Sequence, residues 1–239
     1  MESILKKLQD DNHYYGAYGK NFLSNSNIGV LLTNPADYGK PSEQSLAMLE
    51  GRYFHVSMIE PEKKSQFKII DASTRSTKRY KEFSGGELTL LSREVMQLDL
   101  AIEKMKNSSF KDEIYSDGAL YEQPMVAEFF GVNFKGKADI ITKDKIIDIK
   151  TTSNIAKFRS SAYAYNYDGQ AYIYSSMFEL PFEFFVIDKN TLQLKRITCS
   201  AEFLERGKEK VERAVNVWKR FFGPEATENV HDFIAEEML

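Results

Sequence analysis

The sequence is poor in cysteine, in proline and in long apolar runs, and each shortage excludes something. With Cys199 as its single cysteine, the chain can form no intrachain disulfide and no four-cysteine zinc or iron-sulfur centre. No stretch approaches the roughly 18 apolar residues that a membrane-spanning helix needs. The opening MESILKKLQDD also lacks the apolar core of a secretory leader, so a cytoplasmic location is expected. Net charge is scarce as well. The 32 basic and 35 acidic residues leave −3, without the basic excess of many dedicated nucleic-acid binders.

The charge that is present is clustered. Pro61 to Lys81 holds seven basic residues, among them Arg75, Lys78 and Arg79, against Glu62 and Asp71, a local net of +5. Lys135 to Ser160 holds seven basic against three acidic residues, and Gly223 to Leu239 holds five acidic residues and no lysine or arginine. Such runs are most often solvated faces, but clustered cations can also cradle a phosphate backbone.

The periodicity predicts α/β architecture, a central mixed sheet flanked by helices, in one domain spanning residues 1–239. Residues 1–120 read as mostly helical, 121–200 as the sheet core and 201–239 as a C-terminal helix with an acidic tail. The first forty residues read as an irregular lobe, with Ser26 capping a short helix over 28–32. Helices are predicted over about 44–58, from Ser92 to about Lys106, and over about 201–222. Strands are predicted at 125–130, 182–187 and 193–198. Phe158 to Phe178 reads as a loop followed by a helix from about Tyr167.

The stretch Gly136 to Thr152, GKADIITKDKIIDIKTT, predicts a hairpin turning at Lys143-Asp144. Cross-strand partners then sum to 287, which sets Asp139 opposite Asp148 and Lys137 opposite Lys150 on one face. Ala138, Ile140, Ile147 and Ile149 take the other. Opposed carboxylates repel, so they need a compensating cation or full solvation. A divalent metal meets that need, and a nearby lysine could orient a hydrolytic water. Alone, Asp-x-Lys on a strand is most often a solvated face.

Order and company sharpen the reading. Gly51-xxx-His55, Gly136-xx-Asp139, Asp148-Ile149-Lys150-Thr151-Thr152 and Gln170-xxx-Tyr174 follow one another along the chain. This series resembles the PD-(D/E)xK nuclease superfamily, within it the RecB-like exonucleases, and most closely phage and prophage exonucleases of the RecE type (exonuclease VIII). GRYFHVSMIEPE, the basic TRSTKRYKEF, and the run of Phe158, Tyr163, Tyr165 and Tyr167 before Gln170 carry the closer likeness, which spans roughly Ser24 to Tyr174.

The resemblance implies that His55, Asp139, Asp148 and the Ile149 carbonyl bind one or two Mg²⁺ or Mn²⁺ ions, that Lys150 is catalytic, and that Gln170 and Tyr174 lie beside the site. Of two candidates for an accessory acidic residue, Glu122 is favoured over Glu128. Arg75, Lys78, Arg79, Thr151, Lys157, Arg159 and Tyr167 are candidate DNA contacts. The implied activity is 5′ to 3′ degradation of linear double-stranded DNA to single strands for phage-type recombination. A homo-oligomeric ring, tetramer or trimer, and a single-strand annealing protein are the implied partners. One rival is a Cas4-like or helicase-associated nuclease, many of which carry a four-cysteine cluster that this chain cannot build. A rival of another class is a non-catalytic DNA-binding protein on a nuclease fold.

Overall fold

Ile146 and Ile147 are neighbours on one strand and both are fully buried, so that strand must be covered on both faces. Ile147 and Ile149 pack with Ile140, Phe185 and Ile187 on one side, while Ile146 packs with Phe158, Ala171, Phe182, Phe184 and Val186 on the other. This central strand fixes a layered α/β architecture. The computed structural model describes residues 2–234.

In chain order the helices and strands are α1 (Glu2–Leu8), α2 (Asp11–Tyr15), α3 (Asn25–Thr33), α4 (Leu46–Ile59), β1 (Ile69–Ile70), α5 (Lys78–Ser84), β2 (Leu90–Leu91), α6 (Ser92–Lys106) and α7 (Lys111–Ile114). Then follow β3 (Leu120–Phe129), β4 (Val132–Ile141), β5 (Ile146–Thr152), α8 (Phe158–Ala164), α9 (Tyr167–Phe178), β6 (Phe182–Asp188), β7 (Leu194–Thr198) and α10 (Ala201–Phe222). The main sheet has the order β3-β4-β5-β6-β7 and is mixed: only β5 and β6 are parallel, joined by a crossover through α8 and α9. Strands β1 and β2 form a separate parallel pair. Helices α4 and α6 cover the Ile147 face, and α8 and α9 cover the Ile146 face.

The hairpin has the expected register over Ile140↔Ile147 and Ile141↔Ile146, and the Thr142 amide donates to the Lys145 carbonyl across the turn. Beyond Ile140 the pairing stops, which overturns the expectation of one continuous charged face. On the other edge of β4, Tyr121 pairs with Ile140 and Gln123 with Ala138, but Glu122 between them has φ +50 and no ladder partner. Where the ladder breaks, the alternation of faces breaks too. Ala138 packs with Ile146 and Phe184, not with Ile140 as expected.

Other expectations need correction. The N-terminal lobe is helical, and α3 is capped by Ser24, not Ser26: the Ser24 amide donates to Asn27 Oδ1 at 2.8 Å. The supposed loop at 158–164 is α8, with Phe158 and Ala162 buried. The end of the acidic tail, residues 235–239, lies outside the described residues. Helix α10 crosses α9 so closely that a Cβ on Gly207 would lie 2.1 Å from the Asp168 carbonyl oxygen. No helix among the described residues is long and apolar enough to cross a membrane.

Candidate active site

Helix α4 is started by Ser45, whose hydroxyl accepts from the Met48 amide at 3.2 Å, and buries Leu49, Tyr53 and Phe54 against the sheet. That packing aims His55 at the break in β4. His55 Nε2 lies 3.1 Å from Asp139 Oδ1 and 3.2 Å from Glu122 Oε1. The strained φ of Glu122 is the kind of local cost, roughly 1–3 kcal/mol, that persists where the surroundings fix it, often at functional sites. Asp139 Oδ2 accepts from the Ile149 amide at 3.2 Å, so a side chain takes over where the β4–β5 ladder ends.

Asp148 and Lys150 sit one residue apart on the same side of β5, as Asp-x-Lys requires. Lys150 Nζ stands 2.6 Å from the buried Asp148 Oδ2, an ion pair within the site. Gln170 of α9 donates from Nε2 to Asp148 Oδ1 at 2.6 Å. One turn on, the Tyr174 hydroxyl accepts from the Lys137 amide at 3.2 Å. Gly136 permits this close approach: a Cβ there would lie 2.9 Å from Met177 Sδ and 3.3 Å from Tyr174 Cζ. Tyr167 presents its ring to Lys150 Nζ, 5.0 Å from the centroid.

Burial and close charges shift every titratable group of the site. Burial alone would depress the His55 imidazole, but Asp139 and Glu122 outweigh it and hold the group up at about 9. Burial pushes Glu122 up to about 8 against the pull of His55, with Asp139 adding to the rise. Burial likewise lifts Asp148 to about 6 although Lys150 opposes it. Asp139 resists burial and is held below the usual range, chiefly by His55. Lys150 is held well above its ordinary value because Asp148 and Asp139 overcome the burial that would lower it. Near neutral pH a protonated imidazole thus supplies positive charge to the Asp139 carboxylate, while burial keeps Glu122 largely in its neutral acid form.

That donor set fits a hard divalent ion. His55, Glu122 and Asp139 offer three ligating atoms within 4.8 Å of one another, one nitrogen and two oxygens. The trio contains His55, Asp139 and the favoured accessory residue Glu122, while Asp148 lies next to it between Lys150 and Gln170. Glu128 is exposed farther along β3, opposite Asn133, and takes no part.

Two clefts of about 710 Å³ each flank His55 and Arg52, which line both. The first contains Asp139, Lys150, Thr151 and Tyr167 of the expected residues, together with Tyr165 and Lys189. Ile149 reaches this cleft also. Arg75, Lys78, Arg79, Lys157 and Arg159 line neither cleft. The Arg75 guanidinium is committed to both oxygens of Glu94, at 2.7 and 2.6 Å, and its Nη2 also donates to the Thr89 carbonyl. Sequence reasoning missed Arg52, although it adjoins Tyr53 in the histidine motif. It also missed Lys189, which sits in the turn between β6 and β7 and pairs there with buried Glu50.

Residues 32–230 match the family described as a PDDEXK-like domain of unknown function (DUF3799). No curated protein matches the chain. Among solved structures, a "Putative exonuclease" from Eubacterium rectale superposes with a TM-score of 0.68 at 17% identity, covering 96% of this chain and 95% of that one. A phage-related exonuclease from Haemophilus somnus reaches 0.36 at 13% identity over 82% of this chain and 93% of that one, too loose a likeness to carry an argument. The mixed five-stranded sheet, the Asp-x-Lys strand and a match over most of the chain agree: this protein belongs to the PDDEXK-like family DUF3799 and has its nuclease-type fold.

Proposed function

We propose that the protein is a divalent-metal-dependent deoxyribonuclease that degrades linear double-stranded DNA from an end, 5′ to 3′, to leave single strands for recombination. The observation that carries the hydrolytic part is the meeting of His55, Glu122 and Asp139 beside Asp148 and Lys150, with His55, Asp139 and Lys150 lining one open cleft. A bound Mg²⁺ or Mn²⁺ would polarise the phosphate and lower the pKa of a water. His55 would present its neutral Nε2, and Glu122 and Asp139 one oxygen each, to hold the ion. Gln170 fixes the orientation of Asp148 by donating to one of its oxygens. Asp148 keeps Lys150 protonated and in place, so that its ammonium can hold the attacking water or the scissile phosphate oxygen. Tyr167 and exposed Tyr165 offer ring faces for unpaired bases, a contact indifferent to sequence.

Exonuclease polarity, the ring and the annealing partner rest on the RecE-type motif order. A ring would give a chain of net −3 a concentrated positive channel, since several subunits would pool their basic patches. Linear and closed-circular duplexes incubated with Mg²⁺ test the exonuclease reading: loss of the linear form alone is expected, on 5′-phosphate or 5′-hydroxyl ends, and nicking of the circle would make the enzyme an endonuclease. Light scattering on the eluting protein tests the ring, which a clean monomer would contradict.

A further inference from the structure

The second cleft lies beyond His55 from the one that carries Lys150, and it is built around two amines that share one carboxylate. Lys137 on β4 is buried, and its ammonium lies over the rings of Tyr14 at 4.6 Å and Tyr15 at 5.7 Å. Its anionic partner is Asp11, with Lys137 Nζ 2.6 Å from Oδ1. The other oxygen, Oδ2, lies 2.8 Å from Lys63 Nζ, which also meets Glu60 at 2.5 Å. One oxyanion thus bridges two ammonium groups, an oxygen to each, as a phosphodiester's two free oxygens could.

The bridging carboxylate is the least anchored part of the arrangement. Asp11 belongs to the five-residue helix α2, and its side chain is 45% exposed, whereas that of Lys137 is 5% exposed. It also lies outside residues 32–230, which match the family. A buried ammonium requires an anion, but this one is replaceable without disturbing the sheet. The cleft is open to an incoming ligand, and Arg52 and His55 connect it to the hydrolytic centre. A strand whose phosphate is cut beside His55 therefore has a cationic seat on either side of the cut: Lys150 and Lys189 in one cleft, Lys63 and Lys137 in the other.

We propose that Lys63 and Lys137 form a second subsite for a DNA backbone phosphate, and that Asp11 fills it in the free protein until the strand displaces it. The inference rests on the nuclease reading and adds an internal competitor to it. Asp11 and the phosphate exclude one another, so the protein trades an internal ion pair for the nucleic-acid contact.

The test measures binding, without cleavage, of a short fluorescein-labelled duplex with hydroxyl ends in EDTA. Asp11→Asn removes the competing charge at nearly constant shape and is expected to bind about five-fold more tightly, the low end of a typical coupling between sites. Lys137→Met and Lys63→Met are each expected to weaken binding and to reduce the slope of log affinity against log salt by about one. In the Asp11→Asn/Lys137→Met double variant the gain from Asp11→Asn should largely disappear, because the two residues act through one contact. If the wild type binds duplex but Asp11→Asn, melting like the wild type, binds no more tightly, the subsite is overturned and the nuclease reading stands. Should Asp11→Asn fold poorly, an unchanged salt slope in Lys63→Met overturns the subsite equally. A folded wild type that binds no duplex either in EDTA or with Ca²⁺ in place of EDTA overturns the nuclease reading and the subsite together.

Discussion

Replacing Gly51 by alanine should make the protein more stable and a poorer enzyme. Gly51 lies inside α4, one turn before His55 on the same face, and beyond its chain neighbours and its own helix backbone nothing stands within 4 Å of the position its Cβ would take. Alanine therefore meets no steric opposition. A glycine inside a helix costs about 1 kcal/mol relative to alanine. For a chain of this length that corresponds to a rise in Tm of about 2–4 °C. Yet Gly51 also lines the cleft that holds Lys150, so the added methyl would project into space assigned to the DNA strand. A loss of about 1.4 kcal/mol in transition-state binding would lower the cleavage rate about ten-fold. Thermal unfolding and digestion of a labelled linear duplex at subsaturating DNA measure the two effects on one preparation. A raised Tm with undiminished cleavage would show that DNA does not approach the helix at Gly51; a lowered Tm would refute the helix argument itself.

Gly207→Ala should act in the opposite way on stability, because its Cβ would meet the Asp168 carbonyl oxygen at 2.1 Å in a backbone-to-backbone crossing. Overpacking of this kind costs about 1–3 kcal/mol, and urea unfolding should show it. Metal-free stability should fall as pH rises from 6.5 to 8. Folding raises the His55 value from 6.5 to about 9 and that of Glu122 from 4.5 to about 8, so the folded state holds protons that the unfolded state releases in this window. Above about 8 Lys135, lowered chiefly by burial, begins to work the other way. Thermal melts in EDTA across that window check the sign, and an increase in Tm would contradict it. Saturating Mn²⁺ should raise Tm at pH 8, since the ion binds the folded trio and not the dispersed ligands of the unfolded chain; no shift would count against the metal site.

The sequence made the chemistry more legible than the geometry. Residues whose roles depend on neighbours along one strand were readable: the turn at Lys143-Asp144, the 287 register at Ile140 and Ile147, and the shared side of Asp148 and Lys150. The end of the β4–β5 ladder at Ile140 was not, because alternation assumes continuous ladders, and on the other edge of β4 Glu122 interrupts the pairing with a positive φ that no composition signals. The same interruption brings Glu122 up to His55 beside Asp139. Helices α1 and α2 and α8 span only five to seven residues each, too few for an apolar stripe to repeat, and so read as irregular chain or loop. Asp11 and Lys137 are 126 residues apart, and only the folded chain brings them together.

The central claim is that the His55 cluster and the Asp148–Lys150 pair hydrolyse DNA with a divalent ion. Digestion of a linear duplex by the wild type and by Asp148→Asn, each with Mg²⁺ and with EDTA, tests it most directly, with circular dichroism confirming that both proteins are folded. The account predicts digestion by the wild type with Mg²⁺ and in none of the other three reactions. A folded Asp148→Asn protein that digests the duplex, or a wild type that remains active in EDTA, would contradict it.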